Sequence, residues 1–283
     1  MPKISLSTWS LFLKMNYLEC MQFAIKSGFQ GIEIWSNPVD FWPRRITKKE
    51  INTIKSLARE SRISLAIHIC QGNNDLADIN EGHLKETMKQ LKETIRVCHE
   101  IGGELVVIHP GMMPYHPMHE ENGLNPILTR TASKQRAVER LKKSLSEAAS
   151  FAEKYKVVLG LENLSHVKGC IQSSFKDLAD WVDEIGNPAL QITLDTGHAN
   201  LEGGVEKAIE VLGGRIKHMH LDDNNGQHSD HGELGSGTIN WQALAPFLKG
   251  FDGMLSFEIK GLGDLEGAVL RSKTFVENLL KGN

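Results

Sequence analysis

The chain of 283 residues is longer than a usual two-layer domain and matches one (β/α) barrel, which runs to about 250 residues. Its hydrophobic content of 40% suffices for a large core, while no apolar run approaches the roughly 18 residues that span a bilayer. A formal net charge of −3 speaks against a broad electrostatic footprint for nucleic acid, although a metal cluster would neutralise phosphate locally.

The opening MPKISLSTWS has no basic segment followed by an apolar one, so no signal peptide is expected. Cys20, Cys70, Cys98 and Cys170 lie far apart without a CxxC pair and fit thiols in a reducing cytoplasm, the expected location. From there the chain repeats strand, loop, helix. Apolar runs near residues 3–7, 31–35, 64–69, 104–108, 157–162, 190–194, 215–221 and 254–259 read as strands buried on both faces. Between them apolar residues recur at helical spacing, as from Leu84 to Ile101 and from Ala137 to Tyr155. Thr47, Ser133 and Asn240 are placed as N-caps, and Gly28, Gly102, Gly186 and Gly213 follow helices. The longest irregular segment, Gly111 to Thr131, is interrupted by Pro114, Pro117, Gly123 and Pro126, and a lid is expected there. The alternation predicts an α/β fold, a single (β/α)8 TIM barrel forming one domain over residues 1–283. An open doubly wound sheet would gather its ligands at one switch point, and no GxGxxG follows the first strand.

Strand after strand ends in a metal-capable side chain. His68 follows ISLAI, His109 follows ELVVI, Glu162 follows VVLGL, Asp195 follows QITL, His220 follows IKHM and Glu258 follows MLSF. One histidine at a strand end is more often a hydrogen-bonded structural residue. A set of them converging at the C-terminal mouth of a barrel, where barrel active sites lie, predicts a site for a divalent metal: Zn, Mn, Mg or Co. Glu33 sits inside GIEIW, ahead of its strand end, and is left out of the ligand set. Trp35 at the end of that strand, and Arg44 with Arg45 in the following loop, are candidates for binding substrate. His83 and His99 read as surface residues, whereas His116 and His119 lie in the long loop. Gly235-Ser236-Gly237 ahead of Asn240 could present backbone amides to a phosphate, though tight turns use glycine anyway.

The motifs Glu162-Asn163, His109-Pro110-Gly111, Asp195-Thr196-Gly197-His198, HMHLDD from His218 and HGELGSG from His231 follow in a recognisable order. Together they resemble the xylose-isomerase-like barrel superfamily, which joins endonuclease IV (AP endonuclease family 2) to metal-dependent sugar isomerases and epimerases. The resemblance covers nearly the whole chain. It implies one divalent metal held by Glu162, Asp195, His220 and Glu258, with Glu162 and Glu258 moving a proton on either side of an enediolate. It also implies that His198 binds a substrate hydroxyl. In endonuclease IV a wider zinc cluster adds the positions matched by His68, His109, His198 and His231. Eight of its nine ligand positions are filled here; the ninth is Ser229, flanked by His228 and Asp230.

The preferred reading is a metal-dependent isomerase or epimerase of a small sugar or sugar phosphate. Mild acidity, the missing Asp at position 229 and the lack of a basic stripe favour it. The alternative is an endonuclease IV-like zinc phosphoesterase that cleaves DNA at abasic sites, and a third reading is a silent barrel that binds metal or sugar. No membrane partner is expected, and a homo-oligomer is compatible with each reading.

Overall fold

The computed structural model describes residues 2–70, 74–112, 126–165, 170–172, 174–261 and 263–282. Eight parallel strands close into a barrel in sequence order: β1 (Lys3–Ser7), β2 (Gly31–Trp35), β3 (Ser64–His68), β4 (Leu105–Ile108), β5 (Val158–Glu162), β6 (Leu190–Asp195), β7 (Ile216–Leu221) and β8 (Met254–Phe257). The seam is the β1–β8 pairing, which runs from Lys3 opposite Met254 to Leu6 opposite Phe257. Helices α1 (Tyr17–Lys26), α2 (Lys48–Ser61), α3 (Glu81–Ile101), α4 (Pro126–Lys154), α5 (Phe175–Ile185), α6 (Thr196–Leu201), α7 (Val205–Leu212), α8 (Trp241–Gly250) and α9 (Leu265–Lys281) fall between and after the strands. The expected (β/α)8 architecture is therefore the observed one. Among the described residues, no helix is long and apolar enough to cross a membrane.

Strand parity separates two interiors. Ile32 and Ile34, Leu159 and Leu161, Ile192 and Leu194, and Met219 and Leu221 belong to the large core between sheet and helices. Residues of the opposite parity face the lumen, because side chains alternate along a strand. There, Ala66, Leu105, Val107 and Met254 form a separate small apolar cluster. Above it the lumen turns polar, and Ser5, Ser7, Glu33, His68, Thr193, His218 and His220 are all buried. One irregularity interrupts the pattern. Between β6 and β7 the register shifts, so that Ile192 faces Ile216 but Thr193 faces His218.

Local signals account for most helix ends. Thr47 caps α2 in a capping box with Glu50, and the Asn240 side chain accepts from the Ala243 amide at the start of α8. Ser133 is not a cap: it lies inside α4, which begins at Pro126, a residue suited to the first helical position. Of the expected lid, residues 126–131 therefore belong to α4; residues 113–125, with His116 and His119, lie outside the described residues. All four cysteines are free thiols.

Candidate metal centre

The strand ends converge as expected. Ligand atoms of Glu162, Asp195, His220 and Glu258, from β5, β6, β7 and the residue after β8, all lie within 4.8 Å of one another. His68 and His109, from the ends of β3 and β4, make a second group with Glu162. Their Nε2 atoms stand 3.3 and 2.9 Å from Glu162 Oε2. A third group joins Asp195 and His231 to Asp222. His228 and Asp230, which flank Ser229, are exposed to solvent. Asp222 is the carboxylate beside His231, with Oδ2 3.3 Å from Nδ1.

Backbone contacts set the free atoms of this cluster. The Nδ1 of His68 is 2.7 Å from the Ile69 carbonyl, which only accepts, so Nδ1 carries the proton of the neutral ring and Nε2 is the nitrogen that can ligate. By the same reasoning His198 donates from Nδ1 to the Asn163 carbonyl at 3.0 Å. Asp195 divides its oxygens: Oδ1 accepts from the His198 amide at 2.6 Å as the N-cap of α6, while Oδ2 is left over. The capping and the ligating roles open to Asp195 thus fall on different atoms. Gly197 is required because a Cβ there would meet Asp222 Oδ2 at 2.2 Å.

Electrostatics follow from crowding charges in a dry lumen. Burial raises the Glu258 carboxyl to about 7, with His220 and His68 pulling the other way. Burial also acts on Glu162, yet His109 and His220 outweigh it and hold that carboxyl well below its ordinary value. Burial disfavours charge on His68, but Glu162 and Glu258 raise it to about 9. Burial lowers His109 and His231, which favours the neutral, ligating form.

The fit of these groups to a metal can be tested on unpartnered atoms. Nε2 of His68 and His109, Nδ1 of His220 and His231, Oε2 of Glu162 and Oδ2 of Asp195 and Asp222 are buried without a hydrogen-bond partner. A buried polar atom left unpaired costs about 1–3 kcal/mol. Lone pairs of nitrogen and oxygen converging from several strands fit a divalent cation.

Other expected residues are placed differently. Trp35 is half-buried at the mouth against Phe12, with ring centroids 5.0 Å apart. Arg44 is drawn away: its guanidinium pairs with Glu86 and Glu93 on α3, both at 2.5 Å. The amides around Gly235 are already engaged. Asp223, fully buried, accepts from Gly235 N at 3.0 Å and Trp241 Nε1 at 2.8 Å through Oδ2, and from Asn224 N at 2.9 Å through Oδ1. A Cβ at Gly237 would meet Asp223 Oδ1 at 2.2 Å, so glycine there admits this carboxylate rather than an outside phosphate. Sequence reasoning missed Asp222, and it set aside Glu33, which lies fully buried beneath His220. The available signal for Glu33 was a charged residue between Ile32 and Ile34, which must face the lumen and find a partner there.

Fold and donor set together define a class: a closed (β/α)8 barrel with a buried histidine–carboxylate cluster at the C-terminal mouth. Within that class the chain belongs to the xylose isomerase-like TIM barrel family, whose sequence profile matches residues 21–278. The crystal structure of a D-tagatose 3-epimerase-like protein superposes with a TM-score of 0.82 at 26% identity, covering 99% of this chain and 97% of that one. A D-psicose 3-epimerase from Ruminiclostridium cellulolyticum is 25% identical over 259 residues, 88% of this chain and 80% of its own. A probable endonuclease 4 from a Thermotoga species is 27% identical over 248 residues, 80% of this chain and 79% of its own.

Proposed function

We propose that the protein is a divalent-metal-dependent epimerase of a small ketose, with Glu162, Asp195, His220 and Glu258 holding the metal. The observation that carries this reading is the pair Glu162 and Glu258 within one donor group, in environments that push their carboxyls apart. Two such carboxyls suit an acid and a base acting on one carbon. When bound, the ion polarises the substrate carbonyl and so acidifies the neighbouring C–H. Glu162, held ionised, takes that proton as the C–H pair becomes the enediolate double bond. Glu258 then delivers a proton to the opposite face, which inverts the centre; delivery to the adjacent carbon would give the isomer. His198 keeps Nε2 for a sugar hydroxyl because Nδ1 is tied to Asn163. Trp35 walls the mouth.

The engagement of Arg44 by Glu86 and Glu93, and of the Gly235 amide by Asp223, favours an unphosphorylated sugar over a sugar phosphate. A second reading, metal-dependent cleavage of abasic DNA, draws on the additional His68–His109–Glu162 group and the endonuclease 4 relative. The metal-loaded protein should be incubated in D2O with D-psicose, D-tagatose and their phosphates, and separately with an abasic duplex. Deuterium entering a ketose next to the carbonyl, and its loss in Glu258→Gln, is the expected result. Strand cleavage without exchange overturns the epimerase reading in favour of the second.

A further inference from the structure

We propose that Glu33 is the positioning residue of this site: from the opposite wall of the barrel it fixes which nitrogen of His220 faces the metal. The inference rests on the metal reading above and deepens it. Glu33 lies on β2, and His218 and His220 lie two residues apart on β7, so they meet only across the lumen. All three are fully buried. Glu33 Oε2 accepts from His218 Nε2 at 2.7 Å and from His220 Nε2 at 3.0 Å.

The consequence for His220 is chemical. A carboxylate oxygen only accepts, so Nε2 of His220 keeps its proton when the ring is neutral, and Nδ1 is the nitrogen that presents a lone pair to an ion. That Nδ1 has no hydrogen-bond partner and stands 3.4 Å from Glu162 Oε1, 3.6 Å from Glu258 Oε2 and 3.8 Å from Asp195 Oδ2. Without Glu33 the ring is free to take the other tautomer, which would aim a proton at the ion. A carboxylate behind a ligating imidazole also makes the imidazole a better donor. His218 supplies the second N–H that a fully buried carboxylate needs, since one donor leaves most of its charge uncompensated. It meets His220 edge to face, with ring centroids 5.3 Å apart and an interplanar angle of 89°. Glu33, His218 and His220 also cluster by themselves, but both facing Nε2 atoms are spent on Glu33 Oε2, and neither Glu33 nor His218 belongs to the four-donor group, so both act through His220.

The test compares Glu33→Met and Glu33→Gln, which have similar length and differ in whether they offer an acceptor. Zinc affinity is measured by competition with a chelator. The nitrogen that binds zinc is read from 15N-histidine NMR of the loaded protein. Expected is a loss of about 100-fold in affinity for Glu33→Met, with a mixture of tautomers at His220, and a smaller loss of about 10-fold for Glu33→Gln, which keeps Nδ1 ligation. A role limited to filling space would leave the two variants alike, and that outcome overturns the proposal, as does wild-type affinity in both. Should Glu33→Met fail to fold, Glu33→Asp takes its place, because the shortened carboxylate loses its reach to His220; unchanged affinity there is equally fatal. Wild-type protein that binds no divalent ion sinks the metal reading itself, and is thereby told apart from a failure confined to Glu33.

Discussion

Two buried polar clusters begin at neighbouring residues, and they behave in opposite ways. Around Asp223 each carboxylate oxygen accepts from backbone amides or the Trp241 indole. Around Asp222, one residue earlier, Oδ1 accepts from the Gly197 amide while Oδ2 joins a ring of unpartnered donor atoms. Burial and residue type are the same in both. What separates a structural carboxylate from a candidate ligand is whether its hydrogen bonds close locally. The loop of Asp223 is finished by folding; the mouth of the barrel is left incomplete, with groups that favour a cation.

That contrast can be broken by substitution. The largest effect is expected at the open cluster: Glu162→Gln should lower turnover about 1,000-fold, as loss of a proton-transfer group does, without lowering the melting temperature of the metal-free protein. A parallel fall in melting temperature would mean that Glu162 belongs to the structural kind. At the closed cluster the pattern should invert. Asp223→Ala strands several buried donors and should cost about 3 kcal/mol in a denaturant titration, with zinc affinity preserved; loss of metal with little loss of stability would erase the distinction.

A gentler probe uses protons. His68, raised to about 9, holds a proton in the metal-free state at pH 8 and must give it up to ligate. His220, which against the effect of burial Glu258, Glu33 and Glu162 hold well above its ordinary value, must likewise shed a proton, so binding should release protons from both rings and affinity should climb with pH. Calorimetry in buffers of different ionisation enthalpy measures the release; a release unchanged in His68→Gln would remove His68 from the ligands. Smallest of all should be Arg44→Ala, since its partners are glutamates on α3 rather than substrate. Its kcat/KM should stay within about twofold of wild type, and a collapse would return Arg44 to the site.

The sequence exposed the barrel and the strand-end residues because both follow from short-range pattern. An apolar run marks a strand, and a polar residue that closes it stands at the mouth. What stayed hidden depended on partners far along the chain. Arg44 looked free because Glu86 and Glu93 come more than 40 residues later. The glycines from Gly235 looked like a phosphate cradle because nothing local indicated that Asp223 fills it. Glu33 was set aside by a rule about strand ends, although its parity matches that of His68; only the closed barrel brings it to His220. At Ser133 the error was local, since Pro126 already marked an earlier helix start.

The register shift between β6 and β7 has the character of a phase correction. Counting on evenly from Ile216, which faces Ile192, would set Lys217 beside Thr193 and turn both His218 and His220 to the outer face. A bulge adds one residue to one strand and reverses the alternation beyond it. Lys217 is that extra residue, and beyond it His220 lines up with Asp195 inside the barrel. Were the solvent-exposed Lys217 drawn into even register instead of bulged, it would take the place beside Thr193 and send two histidines out of the lumen, so the site depends on a bulge at a residue that binds nothing.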